Sequence, residues 1–174
     1  LISQRGVTFF TDSYVTVDPT VEEIVEMTML ASEEIRRFGI QPKAALLSHS
    51  DFGSRESPSA LKMREAARRL KEIAPDLECD GEMHGDSAIS ETLRNRIYPH
   101  STLKGEANLL VLPNLGAGNI TLTAVKQMMD ALHVGPLLLG TDKPAHILTQ
   151  SVTSRGVVNM TALAVVEANQ GQQA

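Results

Sequence analysis

Short apolar runs alternate along this chain with longer stretches in which apolar positions return every three or four residues, the pattern of strands separated by helices. Residues 7–11 and 14–17 are rich in β-branched and aromatic side chains and predict two short strands broken at Asp12-Ser13. A helix follows, with Thr20 as N-cap, Glu23 at the capping-box position and Gly39 as its stop. Residues 43–48 read as a buried parallel strand. Residues 59–73 read as a helix whose outer face carries Lys62, Arg64, Arg68, Arg69 and Lys71. A short strand at 77–81 and a helix at 87–96 come next. The clearest buried strand is 107–112, followed by a helix over 120–132 and a further buried strand over 134–139. The last helix runs from Val152 or Thr153 to Ala168. This order predicts an α/β domain with a mostly parallel sheet flanked by helices.

Val157, Val158, Met160, Leu163, Ala164 and Val166 make the last helix apolar around much of its circumference, so it is expected to be buried, in the core or between subunits. The methionines at 27, 29, 128, 129 and 160 read as core or interface packing.

A chain of 174 residues is one domain, or a large piece of one. Its net charge of −5 provides no basic footprint for nucleic acid, and the absence of tryptophan weakens any reading built on base stacking. The single cysteine, Cys79, excludes an internal disulfide framework and fits a reducing cytoplasm. No apolar run approaches the roughly 18 residues needed to cross a bilayer, so no membrane partner is expected. Leu1 opens the chain and runs straight into strand-like sequence, which suggests a piece of a longer protein, while the polar residues 169–174 are expected to fray.

In an open parallel sheet, ligands bind beyond the carboxyl ends of the strands. Four loops occupy such positions: 48–54, 81–86, 114–119 and 140–154. All are rich in Gly, Ser, Thr, Asn or Asp, whose free N–H groups suit an anion and equally suit ordinary turns and caps. Ser48-His49-Ser50 reads as a strand-end ligand loop or simple packing. Adjacent side chains on an extended segment point apart and do not build a triad. Glu82, His84 and Asp86 could hold a metal, although a turn with Asp86 or Ser87 capping a helix is the simpler reading, and no metal site is expected. Asn119 either faces a ligand phosphate or carbonyl or caps the following helix. Lys143 either contacts an anionic group or is solvated.

The segments AALLSHS (44–50), Asp80-Gly81-Glu82 with Asp86, PNLGAGNI (113–120) and GPLLLGTDKP (135–144) together resemble the phosphate acetyltransferase and butyryltransferase family. The resemblance implies a three-layer fold like that of the isocitrate and isopropylmalate dehydrogenases. It further implies that residues 1–174 are the C-terminal portion of a two-lobed domain, with 1–17 forming strands shared with a missing lobe. Within the family, residues 18–54 and 143–168 look like the C-terminal region of bacterial hybrid NADP-dependent malic enzymes. NADP and a divalent metal are then expected upstream of this region, with none of its own cofactors here.

The family's active members carry Ser-Arg-Gly after Lys-Pro and an aspartate further on. This chain has Thr149, Gln150, Ser151 and Gly156 at those positions. In the family's chemistry the arginine grips phosphate and the aspartate helps deprotonate the CoA thiol. Gln150 cannot neutralise charge and Gly156 cannot accept a proton, so no catalytic residues are expected. The ligand set implied is Ser48, Ser50, Asn119, Lys143, Thr149 and Ser151. The leading expectation is a non-catalytic domain that senses acetyl-CoA or a related CoA ester, joined to a malate-decarboxylating part of the same chain and forming a homo-oligomer. An active phosphate acetyltransferase and a purely structural oligomerisation module are the alternatives.

Overall fold

The computed structural model describes residues 1–150 and 152–170. The chain divides into two compact units, one of Val7–Val125 and one of Leu1–Gly6 with Lys126–Ala174. Strands β1 (Ile2–Ser3) and β2 (Gly6–Val7) pair with each other near the start.

The larger unit is built on a four-stranded parallel sheet formed by β3 (Phe9–Thr11), β4 (Lys43–Leu47), β5 (Glu78–Met83) and β6 (Leu109–Val111), in the order β3-β6-β4-β5. The expected α/β class and parallel sheet are therefore present. Helix α1 (Val21–Arg37) starts at Thr20, whose side chain accepts from the Glu23 N–H while Glu23 accepts the Thr20 N–H in return. Helix α2 (Pro58–Ile73) starts from the Ser57 cap with Pro at its first position. Consecutive strand residues face opposite layers. Phe9 stacks on Phe38 at the end of α1, with ring centroids 6.0 Å apart, whereas Phe10 packs on the opposite cluster of Ala45, Leu47, Met83, Leu110 and Leu112. Ala88, Leu103 and Ala107 complete that second layer. Ile24, Ile35, Met63 and Leu70 are fully buried on α1 and α2. Each such side chain stabilises the fold by about 1.5–3 kcal/mol relative to exposure.

Several predicted elements change in the tertiary setting. Residues 14–17 are not a strand: the Asp12 carboxylate accepts the N–H groups of Tyr14, Val15 and Thr16 and curls the chain. The predicted helix over 87–96 is two pieces, α3 (Gly85–Ala88) and α4 (Glu91–Ile97), because the Ser90 hydroxyl accepts the Leu93 N–H and restarts the helix. Strand 107–112 shortens because the Asn108 side chain bonds the Lys43 N–H and the Gln41 carbonyl. The basic face of α2 is not a free cationic stripe. Lys62 pairs with Asp18, Arg64 with Glu82, Arg68 with Glu65 and Glu72, Arg69 with Glu22 and Glu65, and Lys71 with Asp80.

Helix α5 (Leu115–Met128) begins five residues earlier than expected, since the Asn114 side chain accepts the Ala117 N–H. In the smaller unit, the strand expected over 134–139 reduces to β7 (Leu137–Leu138), half-buried and antiparallel to β8 (Ala145–His146). Pro136 has no N–H to contribute to a ladder. Helix α6 spans Ser154–Gln170, so the expected fray at 169–170 is helical, and 171–174 lie outside the described residues. Met160 is buried, but Val158 and Val166 are 66% and 51% exposed, which overturns a core placement for that stripe within this chain. No helix among the described residues is long and apolar enough to cross a membrane.

Candidate functional site

The carboxyl edge of the parallel sheet gathers the turns after β3, β4, β5 and β6. At β3, the Asp12 turn lies on the first turns of α5. The Ser13 carbonyl accepts from the Asn119 side chain at 3.3 Å, and the Val17 carbonyl accepts the Leu115 N–H at 3.1 Å. Gly118 permits this approach, because a Cβ there would overlap the Asp12 carbonyl oxygen and lie 3.1 Å from its carbon. Asn119 thus stands within α5 as a clamp on the Asp12 turn; capping belongs to Asn114.

A register shift between Leu46 and Leu47 marks a bulge in β5: Leu46 faces Gly81 and Leu47 faces Met83. The extra residue, Glu82, turns its carboxylate into the protein, where it is fully buried. Oε1 accepts from Ser50 Oγ at 2.7 Å, the Gly53 N–H at 2.9 Å and Arg64 Nη2 at 3.0 Å, while Oε2 accepts from Arg64 Nε at 3.0 Å. The Glu82 carbonyl also accepts the Phe52 N–H. One buried carboxylate therefore fixes the loop after β4. Ser50 is buried with its hydroxyl shared among Glu82, Ser54 and the Arg55 N–H, so it shapes the loop. Ser48 is half-buried, its N–H held by the Met83 carbonyl and its hydroxyl by the Ser50 N–H. His49 is exposed and bonds Ser57.

Glu82, His84 and Asp86 do not converge on a metal. Glu82 faces Arg64, and His84 Nδ1 lies 3.0 Å from Asp51 Oδ2. Among the described residues no group of three His, Cys, Asp or Glu side chains is arranged for a metal ion. Sequence reading named His84, Glu82 and Arg64 but missed their partners: Asp51 beside His84, and Arg64 on Glu82. The glycine inside a strand-like run was the available signal for the bulge.

Asp80, one turn of the pleat earlier, is also buried. Lys71 Nζ donates to it at 2.6 Å, Ser101 Oγ at 2.8 Å and the Thr102 N–H at 2.9 Å, which straps residues 101–104 over the open edge of β5. Burial pushes the Asp80 and Glu82 carboxyls upward, but their donors outweigh it and hold both below the ordinary range: Lys71 and Ser101 for Asp80, Arg64 and Ser50 for Glu82. In the smaller unit burial, with the charge of Lys126 nearby, holds the His133 imidazole below its ordinary value of 6.5. All three groups bind protons more weakly in the folded state, so their contribution is complete above the unfolded values and fades on acidification. We expect a two-step loss of stability: a first decline starting below about pH 6.5 from His133, and a second below about pH 4.5 from Glu82 and Asp80. Urea midpoints measured from pH 8 to pH 3 check this, and a flat profile between pH 6.5 and 5 would count against the His133 step. Cys79 is inert, its thiol pushed up to about 12 by burial and then by Asp80.

The other sequence-predicted ligand residues belong to the smaller unit. Lys143 is exposed in the turn between β7 and β8, and Thr149 is exposed with its carbonyl accepting the Val152 N–H. Ser151 lies outside the described residues. Gln150 is exposed. Gly156 sits in the first turn of α6, where a Cβ would come within 2.8 Å of Val152 Cγ2.

The family described as phosphate acetyl/butaryl transferase matches residues 1–165. An NAD-dependent malic enzyme of Rhizobium meliloti is 69% identical over 169 residues, and an NADP-dependent malic enzyme of Salmonella typhimurium is 52% identical over the same length. Each alignment covers 97% of this chain, which spans 22% of those relatives' length. A phosphotransacetylase structure from Streptococcus pyogenes superposes with a TM-score of 0.85 at 32% identity, covering 95% of this chain and 49% of that one. A match through nearly the whole chain, supported by the parallel sheet with its bulged DGE strand, leads to one conclusion: the chain belongs to the phosphate acetyl/butaryl transferase family.

Proposed function

We propose that this chain is a non-catalytic domain of a malic enzyme that binds acetyl-CoA or a related CoA ester and reports its presence to the malate-decarboxylating part. The observation that carries this reading is the pair of replacements at the family's reacting positions. Gln150 supplies no charge for a phosphate, and Gly156 supplies no proton acceptor. The start of α6 is packed for the glycine, since any side chain there must displace Val152. The polar turns at the sheet's carboxyl edge are kept, and Ser48, Ser50, Asn119, Lys143, Thr149 and Ser151 remain the proposed ligand set, with Ser50 and Asn119 acting through the turns they hold.

The malic-enzyme relatives support an upstream part in the same chain, and a nicotinamide coenzyme and a divalent metal are proposed for that part. Those relatives divide between NAD and NADP in name. The exposed valines of α6 support assembly into a homo-oligomer. The buried, unreactive Cys79 suits a cytoplasmic setting.

For the effector to act, it must bind one state of the whole enzyme better than another. Calorimetry with acetyl-CoA on the full-length protein, paired with malate kinetics, is the test. Saturable binding, a shift in malate kinetics and no acetyl phosphate formation are expected. Steady acetyl phosphate production would replace this reading with an active phosphate acetyltransferase. No binding, with loss of assembly on removing α6, would leave a structural oligomerisation module.

A further inference from the structure

Helix α6 is set in place by its inner side. Met160 is buried, and two turns further on Glu167 Oε1 lies 3.3 Å from His146 Nε2 of β8, with those side chains 13% and 4% exposed. Residues seven apart share a face of a helix, so Met160 and Glu167 fix which way α6 is turned. The opposite face then points outward. Val158, Ala162, Val165 and Val166 are all exposed on it, the three valines by 66%, 54% and 51%. Thr161 stands on the same face and donates its hydroxyl to the Val157 carbonyl at 2.9 Å, so covering it leaves no donor unpaired. A helix face of this kind is suited to burial against another surface.

The arrangement of that face says what the surface is. Ala162 is its centre, with Val158 four residues before and Val166 four residues after. Two copies of α6 crossing antiparallel at Ala162 place Val158 of each on Val166 of the other. The small central side chain lets the axes approach to about 8 Å. Charge selects the same direction. Residues 154–170 carry one cation, Arg155, in the first turn, and one anion, Glu167, which is turned inward to His146. The last turn has no basic residue of its own to meet the negative end of the helix dipole. Antiparallel pairing sets Arg155 of one copy opposite Asn169 of the other, at that negative end, and does so twice by symmetry. Parallel pairing would bring the two Arg155 side chains together. A two-fold contact needs a self-complementary surface, and this face is one.

We propose that α6 docks on α6 of a second copy of this chain, antiparallel, about a two-fold axis at Ala162. The inference rests on the homo-oligomer reading and adds to it the segment that meets, its direction and its register.

Disulfide trapping in the full-length protein tests the register. Under mild oxidation Ala162→Cys is expected to link two chains, because thiols at a two-fold axis come within disulfide reach. Val158→Cys or Val166→Cys alone should not link, since each lies about 12 Å from its own symmetry mate, whereas the two together should. Cys79 is buried and unreactive, and the wild type oxidised in parallel is the control. Sedimentation supplies the second readout. Val158→Asp should weaken association about a hundredfold by burying a carboxylate against Val166, with an unchanged circular dichroism spectrum because position 158 is exposed within the chain. Adding Val166→Lys should recover most of that loss, because eight residues apart on one helix the new charges meet only between copies. An oligomer without the Ala162→Cys link, or a Val158→Asp variant of unchanged mass, overturns the inference and keeps the homo-oligomer reading. A wild type that sediments as a monomer overturns both.

Discussion

Replacing Arg94 by methionine is expected to lower unfolding stability by about 3–5 kcal/mol, a large part of the roughly 5–15 kcal/mol that holds a domain of this kind together. Arg94 is fully buried in α4. Its Nη1 donates to the Ser87 carbonyl at 2.9 Å and reaches the Ala88 carbonyl at 3.4 Å, while Nη2 donates to the carbonyls of Leu103 at 3.0 Å and Gly105 at 2.7 Å. The planar fork thus closes the C-terminal end of α3 and the 103–105 segment around one point, doing for irregular backbone what a sheet ladder does for strands. Methionine fills much of the volume but leaves these carbonyls without a donor, each costing about 1–3 kcal/mol. Lysine retains the charge yet cannot span both sets of acceptors, so Arg94→Lys should recover only part of the loss. Urea denaturation followed by circular dichroism gives the magnitudes. A loss under about 1 kcal/mol for Arg94→Met would mean that water replaces the guanidinium readily.

Glu82→Gln is expected to cost about 2–3 kcal/mol and to loosen residues 50–55. Four donor contacts converge on the two carboxylate oxygens, and an amide offers only one oxygen. Its NH2 group must face either Arg64 or the Ser50 hydroxyl and Gly53 N–H, setting donor against donor. The estimate stays below that for a fully buried ion pair because Arg64 is about a third exposed and partly solvated. Hydrogen exchange at Phe52 and Gly53, whose N–H groups end on Glu82, should accelerate far more than exchange in β4. Equal acceleration throughout the sheet would show a general loss of stability in place of a loosened loop.

The two predictions concern residues of different legibility. Thr20 with Glu23, and Gly39 after Arg37, announced α1 correctly because caps act within a single turn of chain. Residues 43–47 were recognisable as a buried strand because both faces of a central parallel strand are apolar. The family was readable from its joint motifs for a related reason: several short segments, each tied to a strand end, kept their order along the whole match. Residues 14–17 show the opposite case. Their β-branched composition favours a strand, but one aspartate accepting three successive N–H groups outweighed it. Arg64 looked like part of a solvated face, since its charge is visible in the sequence and its partner, eighteen residues away, is not.

The local syntax of this protein was determined by the sequence itself: the alternation of strands and helices, the caps and the parallel class of the sheet. Those properties depend on side-chain type and on spacings of a few residues. The tertiary structure alone decided where the charges go. It turned Arg64 and Lys71 of α2 toward Glu82 and Asp80, buried Arg94 among carbonyls, and set Asp51 beside His84. Pairing of this kind depends on the register between β4 and β5, on the bulge at Glu82 and on which layer each helix covers. Long-range placement follows from packing the whole chain, so no short segment of sequence carries it.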